Sequence, residues 1–177
     1  MRKIICVLLT LVLITVSSCG GYDSDELISA VRELAPKASE LYSIIYGDGL
    51  ERSDTPEKNG SYLVTDSRYQ SIGEIKSAMA EVFSEGYTKV LSNTAFSGVS
   101  SDEGAIAAKF TERDGKLYVD PSVTEDFGAQ REFDLSEIRI VKQNRFKAIV
   151  AVKAPDGELE VTLEKDNGVW KLDSAMY

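Results

Sequence analysis

Histidine is absent from all 177 residues, and that omission removes more chemistry than any residue present supplies. Without an imidazole there is no Ser-His-Asp or Cys-His nucleophile arrangement and no His-based zinc site. Cysteine is nearly absent too, since Cys6 and Cys19 are the only two and both fall in the first nineteen residues. From Gly20 onward no thiol can act as nucleophile, metal ligand or disulfide partner, so stability there must come from packing. No apolar run approaches the roughly 20 residues a helix needs to cross a bilayer. The spaced Asp and Asn pattern of a calcium loop, closed by a glutamate, is missing as well. Neither a metal nor another cofactor is expected.

What is present begins with Arg2 and Lys3, followed by thirteen residues, Ile4 to Val16, broken only by Thr10 and Thr15. A basic start, a compact apolar stretch and small residues before a cut site describe a secretory signal. Val16-Ser17-Ser18-Cys19-Gly20 resembles the lipobox of bacterial lipoproteins, in which the cysteine thiol is acylated and the preceding peptide removed. The expected organisation is a signal peptide over 1–18, a tether over 19–23 and one domain over 24–177. The lipid on Cys19 implies a place on the outer face of a bacterial membrane. Removing 1–18 leaves 159 residues, about one domain's length. With Arg2 and Lys3 gone, 18 Lys and Arg face 29 Asp and Glu, a net charge of −11. So acidic a body repels nucleic acid and anionic lipid, and a basic partner or simple solubility remain. A monomer is expected.

Along the mature chain, Asp23-x-x-Glu26 reads as a capping box. Leu27, Val31, Leu34, Ala38, Leu41 and Ile45 follow at helical spacing. Pro36 either kinks this helix or opens a second one. Gly47-Asp48-Gly49 ends the segment, as glycine tolerates the left-handed conformation that commonly closes a helix. A polar loop follows over 50–60, then a short extended piece over Ser61 to Thr65. Ser71-x-x-Glu74 opens a second helix whose buried side carries Ile75, Met79, Val82 and Phe83. Gly86 is expected to break it before a further turn or two with Tyr87, Val90 and Leu91.

From about residue 105 the period changes to two. Ala105 to Glu112 and Lys116 to Asp120 flank Asp114-Gly115, a strong hairpin signal. Pro121 to Arg131 reads as a longer loop. Strands are expected over Phe133 to Val141, Phe146 to Ala154, Glu158 to Glu164 and Val169 to Leu172, the last after an Asn167-Gly168 turn. Leu159, Val161 and Leu163 alternate with Glu158, Glu160, Thr162 and Glu164, which gives one packed and one wet face. The expected class is α+β: N-terminal helices on one face of a curved antiparallel meander, with a cleft between them.

Two resemblances sit on these residues. The closing run Glu164-Lys165-Asp166-Asn167-Gly168 with Val169-Trp170-Lys171-Leu172-Asp173 looks like the end of cystatin-like and nuclear-transport-factor-like cone folds. A second likeness covers about residues 27 to 174. Its markers are Tyr42-Ser43-Ile44-Ile45-Tyr46-Gly47, Tyr62 before a capped helix, the Phe83 to Leu91 segment, Asp114-Gly115-Lys116-Leu117-Tyr118 and Trp170-Lys171. In this order they resemble the IseA-type inhibitors of bacterial cell-wall DL-endopeptidases. That resemblance implies an exported, acidic, non-catalytic protein that blocks papain-like hydrolases. The chain departs from the family in its lipid-anchor signal and in lacking a glycine-rich run within Pro121 to Arg131.

The leading functional expectation is therefore a non-enzymatic, lipid-anchored binding protein that regulates a cell-wall hydrolase. Its candidate contacts are Asp120, Glu125, Asp126 and Phe127, an aromatic among acids on the long loop. The alternative is a small-molecule site in the helix–sheet cleft, walled by Tyr42 and Tyr46 with Phe83 and Trp170. Least supported is a glycan hydrolase using Glu103 or Glu125 as acid and Asp102 or Asp126 as base. Such chemistry needs two carboxyl groups about 5 to 10 Å apart across a sugar-sized groove, and adjacent carboxylates in loops usually point apart.

Overall fold

The computed structural model describes residues 23–101, 104–123 and 132–176. The first helix, α1, spans Ser24–Tyr46. Asp23 caps it, its Oδ1 accepting from the amides of Asp25 and Glu26, both at 3.0 Å. Only half of the expected box forms, because the Glu26 carboxylate is drawn 2.7 Å to Lys165 instead of back to the cap. Leu27, Val31, Leu34, Ala38, Leu41 and Ile45 are all buried, one continuous stripe. Pro36 neither breaks α1 nor starts a new helix. The proline is on the exposed side, so the Arg32 carbonyl it leaves without a donor faces water at little cost.

The end of α1 corrects one expectation. Gly47 closes the helix with φ −123°, and Gly49 is also outside the left-handed region. Both are needed for close approach. The Gly47 and Gly49 amides each donate 3.0 Å to the Ser43 carbonyl. A Cβ on Gly49 would stand 2.7 Å from Ser43 C and 2.8 Å from Ile44 N.

After the two-residue strand β1 (Tyr62–Leu63), helix α2 spans Ile72–Val82. Its capping box is complete: Ser71 Oγ accepts from the Glu74 amide at 3.1 Å, and Glu74 accepts from the Ser71 amide at 3.2 Å. The break after α2 comes at Phe83-Ser84, not at Gly86, which lies inside α3 (Glu85–Ser92). A single π-helical turn, Asn93–Ser97, extends α3.

The strands then run β2 (Val99–Ser101), β3 (Gly104–Ile106), β4 (Phe110–Arg113), β5 (Lys116–Val119), β6 (Asp134–Gln143), β7 (Lys147–Ala154), β8 (Gly157–Asp166) and β9 (Val169–Leu172). The fold is α+β. The single expected meander is divided into a four-stranded antiparallel sheet in the order β6-β7-β8-β9, a three-stranded sheet β1-β5-β4 and a β2-β3 ribbon. The expected strand Ala105 to Glu112 breaks at residues 107–109, and its two halves join different sheets. Asp114-Gly115 and Asn167-Gly168 form the tight turns, with φ of 51° and 71°, and of 49° and 87°. Positive φ at both central residues suits the right-handed twist of the flanking strands.

One core joins the layers. Val150, Val152, Val161, Leu163, Trp170 and Leu172 of the larger sheet meet Leu27 and Val31 of α1 with Ile75 and Met79 of α2. The corner between α2 and α3 is pinned to β9, where the Ser84 amide donates 2.8 Å to the Leu172 carbonyl.

Candidate functional site

Of the expected contact residues, Asp120 is described, while Glu125, Asp126 and Phe127 lie outside the described residues, as do Cys19, Asp102 and Glu103. Asp120 follows β5 directly. Its amide donates 2.8 Å to the Lys109 carbonyl, and its Oδ1 accepts from the Ser122 amide at 2.9 Å and hydroxyl at 2.6 Å. The carboxylate thus shapes the turn at residues 120–122.

The two tyrosines proposed as cleft walls have different surroundings. Tyr42 is 5 % exposed and belongs to the core, so it does not wall an open cleft. Its ring lies 6.1 Å from Tyr46 and 5.4 Å from Phe83, and its hydroxyl is 3.4 Å from that of Tyr87. Tyr46 is only half-buried and keeps some free surface. Trp170 is buried as expected of a core residue, with the Lys165 ammonium 5.2 Å above its ring.

Among the described residues, two surface cavities are lined by other side chains. The larger, about 730 Å³, opens between Ser136 to Arg139 on β6 and the β7–β8 turn. A register shift creates it. Asp134 pairs with Lys153 and Ile138 with Val152, so Leu135, Ser136 and Glu137 loop out of β6. Ion pairs Arg139–Glu158 at 2.6 Å and Lys153–Glu137 at 3.6 Å cross its walls. The smaller, about 370 Å³, lies between the first turn of α3 and residues 164–166 of β8. Buried Ser84 lines it. The Ser84 hydroxyl donates to Asp173 Oδ1 at 2.5 Å and accepts from the Tyr87 amide at 3.1 Å. Lys147 contacts both Glu164 and Asp173 at 3.2 Å. Those hydrogen bonds push the Lys147 ammonium above its usual range, and the group bridges β7, β8 and the segment after β9.

Sequence periodicity gave no sign of two further charged centres. Asp66, 2 % exposed, accepts from the Glu51 amide at 3.2 Å and from Arg68 Nε and Nη2 at 3.0 and 2.7 Å. The Arg68 guanidinium holds this carboxyl at about 2, and Arg68 also reaches Glu40 at 2.6 Å and the Gly49 carbonyl at 2.8 Å. Lys109 is 2 % exposed, and its ammonium donates 2.5 Å to the Gly47 carbonyl at the end of α1. Burial lowers it to about 8. Both centres tie the C-terminal end of α1 to the loops beside it.

No family model, curated protein or solved structure matches this chain. Its function must therefore be argued from its own residues. No helix among the described residues is long and apolar enough to cross a membrane, and those residues contain no cluster of acids suited to a metal ion. The described carboxylates that are best placed, Asp66, Asp173, Glu158 and Glu164, are each engaged by a cation.

Proposed function

We propose that this chain is an exported, lipid-anchored binding protein of the bacterial cell surface that restrains a cell-wall DL-endopeptidase. The run from Arg2 through Val16-Ser17-Ser18-Cys19 carries the reading. Export places the domain among the enzymes that cut peptidoglycan, and a lipid on Cys19 holds it there. The lack of histidine, and of cysteine beyond Cys19, leaves a domain suited to binding. Its acidity suits a basic partner face, and the likeness to IseA-type inhibitors names the class of enzyme. Asp120, which follows β5, and Glu125, Asp126 and Phe127 further along the chain are the residues assigned to the contact.

The protein, incubated at micromolar concentration and low salt with NlpC/P60-type endopeptidases of the same cell, is expected to reduce the release of peptidoglycan fragments. Complementary fields steer such an encounter, so added salt should slow association. The double variant Glu125→Gln/Asp126→Asn should inhibit less while melting as the parent does. Undiminished cleavage by every such enzyme would remove the inhibitor reading. Labelling with a fatty-acid probe tests the anchor separately, since Cys19→Ala should stay unlabelled and uncleaved.

A further inference from the structure

Among the described residues, the large apolar side chains most open to solvent are Val90, Val141, Phe146 and Val169. Three of the four occupy one end of the larger sheet. Phe146, 59 % exposed, sits in the β6–β7 turn, and Val169, 58 % exposed, follows the β8–β9 turn. Val141 is two residues from the end of β6 beside them. The turn around Phe146 is built, with Asn144 Oδ1 accepting from the Phe146 and Lys147 amides, each at 2.8 Å. Arg145 lies 5.2 Å over the Phe146 ring.

The same end carries the start of α1. The Phe146 carbonyl accepts from the Lys165 amide at 2.7 Å, and the Lys165 ammonium holds Glu26, in the first turn of α1, at 2.7 Å. Phe146 is thus one strand spacing and one ion pair away from the helix start. Cys19 precedes the Asp23 cap by four residues, a span of at most about 14 Å when extended. A bilayer holding a lipid on Cys19 therefore lies within reach of this end and of the exposed turns on it.

We propose that the Arg145-Phe146 turn and Val169 form a membrane-contact face, the two apolar side chains entering the boundary between headgroups and acyl chains of the bilayer that holds the anchor. The inference rests on the lipid anchor proposed above. Acids Asp23, Asp25, Glu26 and Asp166 and bases Lys142, Arg145 and Lys147 all belong to the elements and turns that meet at this end, so the contact is apolar and not an attraction to anionic lipid. Its consequence is orientation. The β7–β8 turn, at the far end of the eight-residue strand β7 and about 26 Å away, points out toward the wall.

The test uses the full chain, processed by the cell and reconstituted in vesicles of phosphatidylcholine brominated on the acyl chains. Intact mass first establishes whether Cys19 carries lipid. Tryptophan is then introduced as Phe146→Trp at the proposed face and as Asp156→Trp at the opposite turn, with Trp170 common to both variants. Insertion about 5 to 10 Å into the boundary should quench the emission added by Phe146→Trp severalfold more than that added by Asp156→Trp, equally at low and high salt. Amide exchange at residues 145 and 167–169 should slow on reconstitution of the parent chain. Lipid on Cys19 with equal quenching in both variants and unchanged exchange would overturn the contact face and leave the anchor standing. A chain without lipid would overturn both.

Discussion

Asp66 shows how one buried carboxylate can hold a loop that has almost no secondary structure. Between the end of α1 and the start of α2 only β1 is regular, yet Asp66 gathers the Glu51 amide and the Arg68 guanidinium, and Arg68 reaches back to Glu40 and Gly49. The Arg68 hydrogen bonds hold the Asp66 carboxyl at about 2, against 3.8 for a free aspartate. A depressed acid contributes stability that is whole above the unfolded value and is lost as pH falls through the folded one. Between pH 4 and pH 2 the domain should therefore lose about 2 kcal/mol from this residue. Exposed Glu33 and Asp134 are lowered too and add to the acid limb. Denaturant melts at stepped pH, on the parent and on Asp66→Asn, separate the contributions. The variant should be less stable at pH 6 and show a flatter acid limb. Parallel curves would mean that Arg68 does not hold the carboxylate as described.

At the scale of elements, periodicity and caps were legible where one local rule governed the backbone. The apolar stripe of α1, the Ser71–Glu74 box and the Asp-Gly and Asn-Gly turns each depend on residues within four positions of one another. Expectations failed where distant partners decided. Strand pairing split 105–112 between two sheets, and Gly86 stayed helical because the corner at Phe83-Ser84 is drawn to Leu172 of β9. Lys109 is buried because its ammonium reaches a helix end 62 positions earlier in the chain. The candidate contacts Glu125, Asp126 and Phe127 were read from composition and lie outside the described residues, whereas the assignment of Tyr42 to the core depends on Phe83, at the end of α2, and Tyr87 of α3 packing against it. The α1 terminus shows the same point for glycine. Gly49→Ala would bring a methyl against the backbone of Ser43 and Ile44, which no side-chain rotation relieves. It should cost about 1 to 3 kcal/mol, while Gly73→Ala, with only Ser71 Oγ at 3.7 Å, should not destabilise. Thermal melts of the two variants check this, and equal midpoints would remove the close-approach argument.

For the molecule as a whole, the question is what joins the last strand to the first helix, since the chain ends are where a small domain opens first. β9 pairs with β8 through Lys165↔Trp170 and Leu163↔Leu172, and its side chains complete the core under α1. Lys165 closes the arrangement by spanning the Trp170 ring and the Glu26 carboxylate. Trp170 Nε1 is buried with no hydrogen-bond partner among the described residues, so this residue contributes through volume, buried area and the contact of its ring with the Lys165 ammonium. Two substitutions separate those contributions. Trp170→Ala empties the junction and should cost on the order of 3 to 5 kcal/mol. Trp170→Phe keeps much of the apolar bulk and gives up no hydrogen bond, so its loss should be less than half as large. Urea unfolding followed by far-ultraviolet circular dichroism reads both. A loss below about 1 kcal/mol for the alanine variant would mean that β9 does not close the core. The end of the domain that carries the Phe146 and Val169 turns, held together by that same Lys165, would then have no rigid geometry to present to the proposed bilayer contact.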